Sequence, residues 1–497
     1  MEKLKKHINL SKVFLLGLIT LAFFLRTLKL SDNLFFGWEQ GRDFLAANDI
    51  IHGDFALIGP TTSIPGYFHG VIYYYILALL TLVASGNPYV VALILVVINS
   101  ISILFYYKAL ENIFGKISGV ISSLLLTVSY ISIIYSRWLS NPNLVPAFAG
   151  LLLYALSKLK DNRYYLLLVT FSWAIIFHLQ SIVALSILPV VIVALCLQKI
   201  KYSAKLVLTN IALLITLFSS YLLFEVRNNY IMARSLLVYI NQGSGGGDRN
   251  KIIDIVISEF EKFTFYNNIW LTVALVALCI IAVIFYRKEK WFTLFFAFTI
   301  SSPLFFWIFK VDPNQHYLQL THLFFFAVIG ALYSTTKGWG KVVTTFVILM
   351  LFISNTKTTI NKIYLHNENF LHYAQYTYLK NDLKIVDYIF SDSAGNDFKY
   401  NYFTVPYWKS EAWEYLFTWK GQTEYGYLPS VNDTKIFYVI IEPDDSQPQL
   451  SLNWYKDLNR NSNLVDYKVF GRLTVEKRTT DKNTDNINID NFYERLD

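Results

Sequence analysis

Two acids and an arginine stand within five positions in the stretch Gly37-Trp38-Glu39-Gln40-Gly41-Arg42-Asp43, directly after the first long apolar run. A carboxylate at a membrane boundary costs solvation free energy unless it is paired or used. It is also what a general base needs to take a proton from an incoming hydroxyl or amine. Glu39 is the first candidate for that role and Asp43 the second. On a helix the two are i and i+4 and share a face. Asp43 has an alternative, purely structural role, paired with Arg42 or Arg26. No Cys/His/acid spacing supports a structural metal. No metal or other cofactor is expected, with a divalent cation at Glu39 and Asp43 left open.

A second set of residues is cationic. Arg42 belongs to the opening stretch, and His69 precedes an apolar segment. Arg137 follows a span in Tyr135-Ser136-Arg137-Trp138, and Arg227 lies just past a later one. His316 sits in Asp312-Pro313-Asn314-Gln315-His316-Tyr317. All fall at one expected depth, the outer membrane boundary. The shared ligand that fits is an anionic headgroup such as a lipid-linked phosphate, for which arginine is well suited. Taken singly, each has a bland reading, His316 for instance as an ordinary satisfied histidine. Trp38, Tyr73, Tyr74, His178 and Gln180 are candidates for sugar or acceptor contact. The run Gln242-Gly243-Ser244-Gly245-Gly246-Gly247-Asp248 is no phosphate loop, because no Gly-Lys-Ser/Thr follows and no strand precedes it. It reads as a hinge, and as a candidate substrate lid.

The elements that must position these groups follow from composition. The chain has 497 residues, 54% hydrophobic and 16% charged, against about 25% charged in soluble domains. Repeated apolar runs of about 18 residues or more make it a polytopic α-helical membrane protein. The net charge of +8 marks cytoplasmic loops rather than a nucleic-acid surface. Cys196 and Cys279 lie within apolar runs and read as small core residues. Met1–Lys6 is basic and precedes the apolar run Val13–Leu25, but no cleavage site follows. This predicts a retained signal anchor with a cytoplasmic N-terminus.

Lys/Arg bias sets the topology. Lys108 to Lys116, Lys158 to Arg163, Lys199 to Lys205, Arg287 to Lys290 and Lys337 to Lys341 are basic connections and should be cytoplasmic. Residues 31–87 and 225–268 then form outer loops. If both apolar runs at about 70–85 and 88–107 crossed, every later basic loop would invert. The segment 70–85, too short at about 1.5 Å per residue for a core of about 30 Å, should instead lie in the outer interface. The remaining spans, near 13–30, 88–107, 118–136, 144–158, 163–178, 181–198, 205–224, 269–286, 291–309, 316–335 and 340–356, number about eleven. Residues 1–356 are thus the expected membrane domain. Residues 357–497 are an expected small extracytoplasmic α/β domain, with helices near 382–389 and 410–421, strands near 400–407 and 435–441, and a hairpin around Gly471. The last dozen residues read as frayed.

The arrangement resembles the GT-C membrane glycosyltransferases, in particular the protein O-mannosyltransferase (dolichyl-phosphate-mannose-protein mannosyltransferase) and lipid A aminoarabinose transferase group. In that family an acidic motif follows the first span, and Trp38-Glu39-Gln40-Gly41-Arg42-Asp43 occupies its place. The resemblance puts Glu39 at the position of the catalytic acid. Gln40 stands where a second acid often follows, with Asp43 as its alternative. Gly59-Pro60 and Phe68-His69-Gly70 resemble the loop into the family's juxtamembrane helix, with His69 near a donor-phosphate ligand position. Phe114-Gly115-Lys116 resembles a cytoplasmic turn of the family. Ser136-Arg137 resembles an outer motif whose later Asp is replaced here by Ser140-Asn141.

Membership implies a polyprenyl-phosphate-linked sugar as donor and a lipid, glycan or protein as acceptor. It implies a metal-independent inverting displacement with Glu39 as base and the leaving phosphate held by Arg137, His69, His316 and Arg227. The place of action is the cell membrane, at its outer face. The rival readings are a transporter or flippase of lipid-linked saccharide, which calls for polar residues at mid-membrane depth, and a surface-polysaccharide polymerase or ligase.

Overall fold

The computed structural model describes residues 10–241, 247–366, 378–442, 444 and 446–480. The expectations for Met1–Lys6, for residues 242–246 of the glycine-rich hinge and for the frayed C-terminal end lie outside these residues. The chain divides into two compact units. The larger comprises Met1–Leu30, Gly53–Leu80 and Val90–Phe370; the smaller comprises Ser31–His52, Thr81–Tyr89 and Leu371–Asp497. The division does not follow the order of the chain. The stretch bearing Glu39 is grouped with the C-terminal residues.

The larger unit is helical, and its helices are apolar for most of their length. Each expected span falls on a helix or on a bent pair of helices. Among the described residues six are long and apolar enough to cross a membrane, from Lys12–Asn33 to Trp339–Leu365, or eight if each of two bent pairs is one span. Length alone therefore does not reach eleven: Val145–Lys158, Tyr165–Leu179 and Ile269–Phe285 have 14, 15 and 17 residues. Ile72–Val83, within the segment expected in the interface, has 12 residues. It reaches about 18 Å at the usual rise and cannot cross upright.

The two bent pairs turn by 62° between Lys116–Val128 and Tyr130–Arg137, and by 52° between Ala204–Leu217 and Ser219–Arg227. A break inside an apolar helix exposes backbone carbonyls that lipid cannot satisfy. At each break a side chain from another helix supplies a donor. Thr359 Oγ1 donates to the Val128 carbonyl at 3.2 Å, and His178 Nε2 donates to the Leu217 carbonyl at 2.9 Å.

The smaller unit contains a four-stranded sheet in the order β1-β2-β4-β3, with β1 Lys399–Phe403, β2 Ile436–Ile441, β3 Asn463–Phe470 and β4 Leu473–Thr479. β1 runs parallel to β2, and the other pairings are antiparallel. Gly471, at φ +67°, makes the β3–β4 turn, a conformation that glycine adopts without Cβ strain. Phe437, Val439 and Ile441 of β2 pack on Tyr455, with Trp454 and Leu458 at the edge. The helices Leu379–Ser393 and Glu411–Lys420 and the hairpin coincide with their sequence expectations.

Candidate functional site

Glu39 lies in the first turn of the helix Trp38–Ile51, half-buried. Gln40 Oε1 accepts the Gly37 N–H at 3.1 Å, which satisfies an orphan donor of the helix N-terminus. The position where the family often has a second acid is thus a capping residue here. Asp43 is buried, and Arg42 donates to its Oδ1 from Nε at 2.9 Å and from Nη2 at 2.7 Å. This is the structural pairing that the sequence left as an alternative. Arg42 also lies 5.3 Å from the Trp38 ring, and Lys409 Nζ stands 4.4 Å from the same ring.

The helix is held by what it packs on within the smaller unit. Gly41 lies against the helix Glu411–Lys420, so closely that a Cβ would come within 2.3 Å of Ala412 N and of the Glu411 carbonyl carbon. Phe36 and Phe44 close on Tyr415 at ring distances of 6.0 and 5.0 Å. The approach is completed by Lys380–Asp32 at 2.8 Å and by the Leu379 N–H donating to the Leu34 carbonyl at 2.9 Å.

The larger unit holds a cavity of about 980 Å³. Its polar end includes Tyr67, His69, Ser181 and Lys310; Ile182, Leu185, Phe305 and Phe309 give it an apolar wall. The loop 59–70 places His69. The Gly59 N–H donates to the His69 carbonyl at 2.9 Å, the His69 N–H to the Pro60 carbonyl at 2.8 Å, and the Gly70 N–H to the His178 carbonyl at 2.9 Å. A Cβ on Gly70 would meet His178 Nδ1 at 1.9 Å and its Cα at 2.7 Å. The glycines of Gly59-Pro60 and Phe68-His69-Gly70 thus permit one backbone to lie directly on another. Burial pushes the Tyr67 phenol above its ordinary value, and its hydroxyl bonds with Ser181. It therefore stays protonated at neutral pH and can donate.

Arg137, buried, ends the helix Tyr130–Arg137. Asn143 Nδ2 donates to the carbonyls of Tyr135 at 3.2 Å and Trp138 at 2.7 Å, while its Oδ1 accepts from Asn99 at 2.7 Å. Asn141 Nδ2 donates to the Leu179 carbonyl at 2.5 Å, tying this turn to the one at His178–Gln180. The Trp138 ring lies 5.5 Å from His316, and His69 stands within electrostatic reach of His316. His178 is buried between Phe218 and Tyr221, each ring 5.2 Å away. Gln180, Tyr73 and Tyr74 are also buried, and Arg227 is exposed at the end of Ser219–Arg227. Glu39, Trp38, Arg42 and Asp43 belong to the smaller unit, and the other candidates to the larger.

Residues 68–224 match the dolichyl-phosphate-mannose-protein mannosyltransferase family. The structure is similar to that of ArnT from Cupriavidus metallidurans bound to undecaprenyl phosphate, with TM-score 0.59 and 10% identity over 94% of this chain and 98% of that one. The apo state of the same protein gives TM-score 0.59 and 9% identity over the same shares. The chain has the fold of the GT-C glycosyltransferases. An oligosaccharyltransferase from Archaeoglobus fulgidus gives TM-score 0.45 at 10% identity, over 92% of this chain and 73% of that one. None of the curated proteins matches the sequence.

Within this fold the structure adds residues that sequence reasoning missed. Lys310 lines the large cavity and ends the helix Lys290–Phe309 in a left-handed conformation, φ 52°. Its signal was a lone lysine at an outward span end, next to the motif that was read for His316. Asn99 and Asn143 gave no signal, since a buried amide pair formed across 44 positions leaves no local pattern. Among the described residues no three His, Cys, Asp or Glu side chains cluster as a metal site.

Proposed function

We propose that this multi-pass membrane protein transfers a sugar from a polyprenyl-phosphate-linked donor to an extracytoplasmic acceptor, without a metal. The observation that carries the reading is the cavity in the larger unit. Its apolar wall is formed by membrane helices and suits a prenyl chain, while His69, Lys310 and Tyr67 suit a phosphate at its polar end. In the proposed reaction Glu39 takes the proton of the acceptor hydroxyl or amine. The freed lone pair attacks the anomeric carbon as the bond to the phosphate oxygen breaks. One displacement inverts that centre, as when a glycosidase base activates water. Polyprenyl phosphate leaves with its charge held by cationic groups of the larger unit, Arg137, His69, His316 and Lys310.

Within this proposal residues 1–356 form the catalytic membrane domain, with a cytoplasmic N-terminus and a C-terminal domain outside. Arg42 stabilises Asp43, so Glu39 acts as the sole base. Deleting the gene and comparing envelope glycans and lipids by mass spectrometry tests the reading. One sugar should be missing and its polyprenyl-phosphate form should accumulate; an unchanged envelope contradicts it.

A further inference from the structure

Arg26, in the last turn of the helix Leu10–Thr27, is a cation shut away from water, at 2% exposure. Its sequence alternative was a pairing with Asp43, but that carboxylate is bound by Arg42. Arg26 Nη1 donates to the Ala22 carbonyl and Nη2 to Ser132 Oγ, each at 3.2 Å, and its Nε–H has no partner. Among the described residues no carboxylate bonds to it. The titratable group within its electrostatic reach is His322, which supplies no negative charge. A guanidinium keeps its proton in a protein, and a buried charge without a counter-charge is strongly unfavourable.

Arg26 lines a small cavity of the larger unit, about 20 Å³, that shares no lining residue with the large one. That is room for one water-sized particle and too little for a phosphate. Much of its wall is polar. Asn99, Ser102 and Tyr106 come from one face of the helix Pro88–Phe114, and Ser132 and Ser136 from one face of Tyr130–Arg137. Ser102, Ser136 and Tyr106 give their hydroxyl hydrogens to the carbonyls of Asn99, Ile133 and Leu323 at 2.7–2.8 Å. Those carbonyls lie inside helices, where backbone N–H groups also bond them. Each hydroxyl can therefore turn its hydrogen inward without orphaning a carbonyl. Ser132 accepts from Arg26 and has its own hydrogen to give.

We propose that this cavity binds a monatomic anion of chloride's size, held by Arg26 Nε and by the hydroxyls of Ser132, Ser102 and Ser136. The anion supplies the missing counter-charge, which a water in the same place does not. The site stands independently of the transfer reaction, since neither Arg26 nor these serines have a part in it.

The test is thermal unfolding of the purified full-length chain in sodium chloride, sodium bromide or sodium gluconate at equal ionic strength, which holds screening constant. Chloride and bromide should raise the wild-type midpoint along a saturating curve, as a ligand of the folded state does. Gluconate, too large for the cavity, should not. Arg26→Met puts an apolar side chain in place of a buried charge, an exchange that is often neutral or stabilising, and should abolish the response. Ser132→Ala should weaken chloride about tenfold, the usual worth of a hydrogen bond to a charged group. Crystals grown in bromide should show its anomalous scattering beside Arg26 Nε, which decides the matter if Arg26→Met fails to fold. Equal midpoints in the three salts, an undiminished chloride response in Arg26→Met, or a site without bromide would each overturn the proposal.

Discussion

Gly41→Ala sets two effects against each other. In a helix interior alanine is favoured over glycine by about 1 kcal/mol, so without neighbours the change should stabilise. The new Cβ would lie 2.3 Å from backbone atoms of Glu411 and Ala412, where ordinary contact begins at 3.4 Å. Backbone on both sides leaves no rotamer to absorb the clash, so the helices Trp38–Ile51 and Glu411–Lys420 must part by about 1 Å. Overpacking of this kind costs about 1–3 kcal/mol, and loosening the Phe36 and Phe44 contacts with Tyr415 adds about 0.5–1.5 kcal/mol for each ring pair. The clash wins, with a net loss of about 1–4 kcal/mol. A base displaced by about 1 Å loses on the order of a hundredfold in turnover. Thermal unfolding and sugar transfer at saturating donor measure both effects. Gly17→Ala, where a Cβ meets nothing within 4 Å, is the control and should be neutral or slightly stabilising. A Gly41→Ala protein that is more stable than wild type, with full turnover, would refute the close approach and the anchoring of Glu39 through it.

Gly70→Ala should raise the donor KM at least tenfold by lifting the loop 59–70 off the His178 backbone, read in steady-state transfer assays; an unchanged KM would separate this loop from donor binding. Asn143→Ala removes three hydrogen bonds, although the Tyr135 and Trp138 carbonyls keep the Trp138 and Ser140 N–H groups and Asn99 keeps the Leu95 carbonyl; at about 1–3 kcal/mol of stability it should lower the melting temperature while raising the donor KM through Arg137. Burial pushes the Glu442 carboxyl from its ordinary 4.5 up to about 7, with Asp444 adding to the rise. The folded chain therefore keeps this proton longer than the unfolded chain. Its stability is full below about pH 4.5, falls as pH climbs to about 7 and then levels, a loss of about 3 kcal/mol. Glu442→Gln keeps an acceptor for the Val405 N–H, bonded at 2.7 Å, and should flatten that slope in denaturant unfolding between pH 5 and 8. Asp382, raised by its own burial and by Glu442, should still titrate in the variant.

Period and hydropathy made the helices and the hairpin readable, because each is encoded by residues close in sequence. Gly471 marked its turn for that reason, and the run of Ile72–Val83 was visibly too short to span. Long-range partners were not readable. Nothing near Gly41 announces that it meets residues 411–412, since a close approach depends on a surface some 370 positions away. The end of a span marks His178 as a candidate for sugar or acceptor contact, and nothing in the sequence announces that its ring satisfies a carbonyl at another helix's break. Gln40 was legible in principle. A glutamine three residues after the N-cap is a capping signal, and the family resemblance, which leads one to look for an acid there, hides it.

The central claim is that Glu39 is the base of a sugar transfer, and Glu39→Gln tests it most directly. Purified wild-type and variant chains in liposomes would receive a polyprenyl-phosphate sugar and an envelope acceptor extract, with released polyprenyl phosphate and glycosylated acceptor quantified together. The wild type should produce both in equal amounts. The variant should bind the donor with wild-type affinity and lose turnover by about 10²–10⁴-fold. Retained turnover in the variant, or sugar that crosses the bilayer in the wild type still linked to its lipid, would contradict the account.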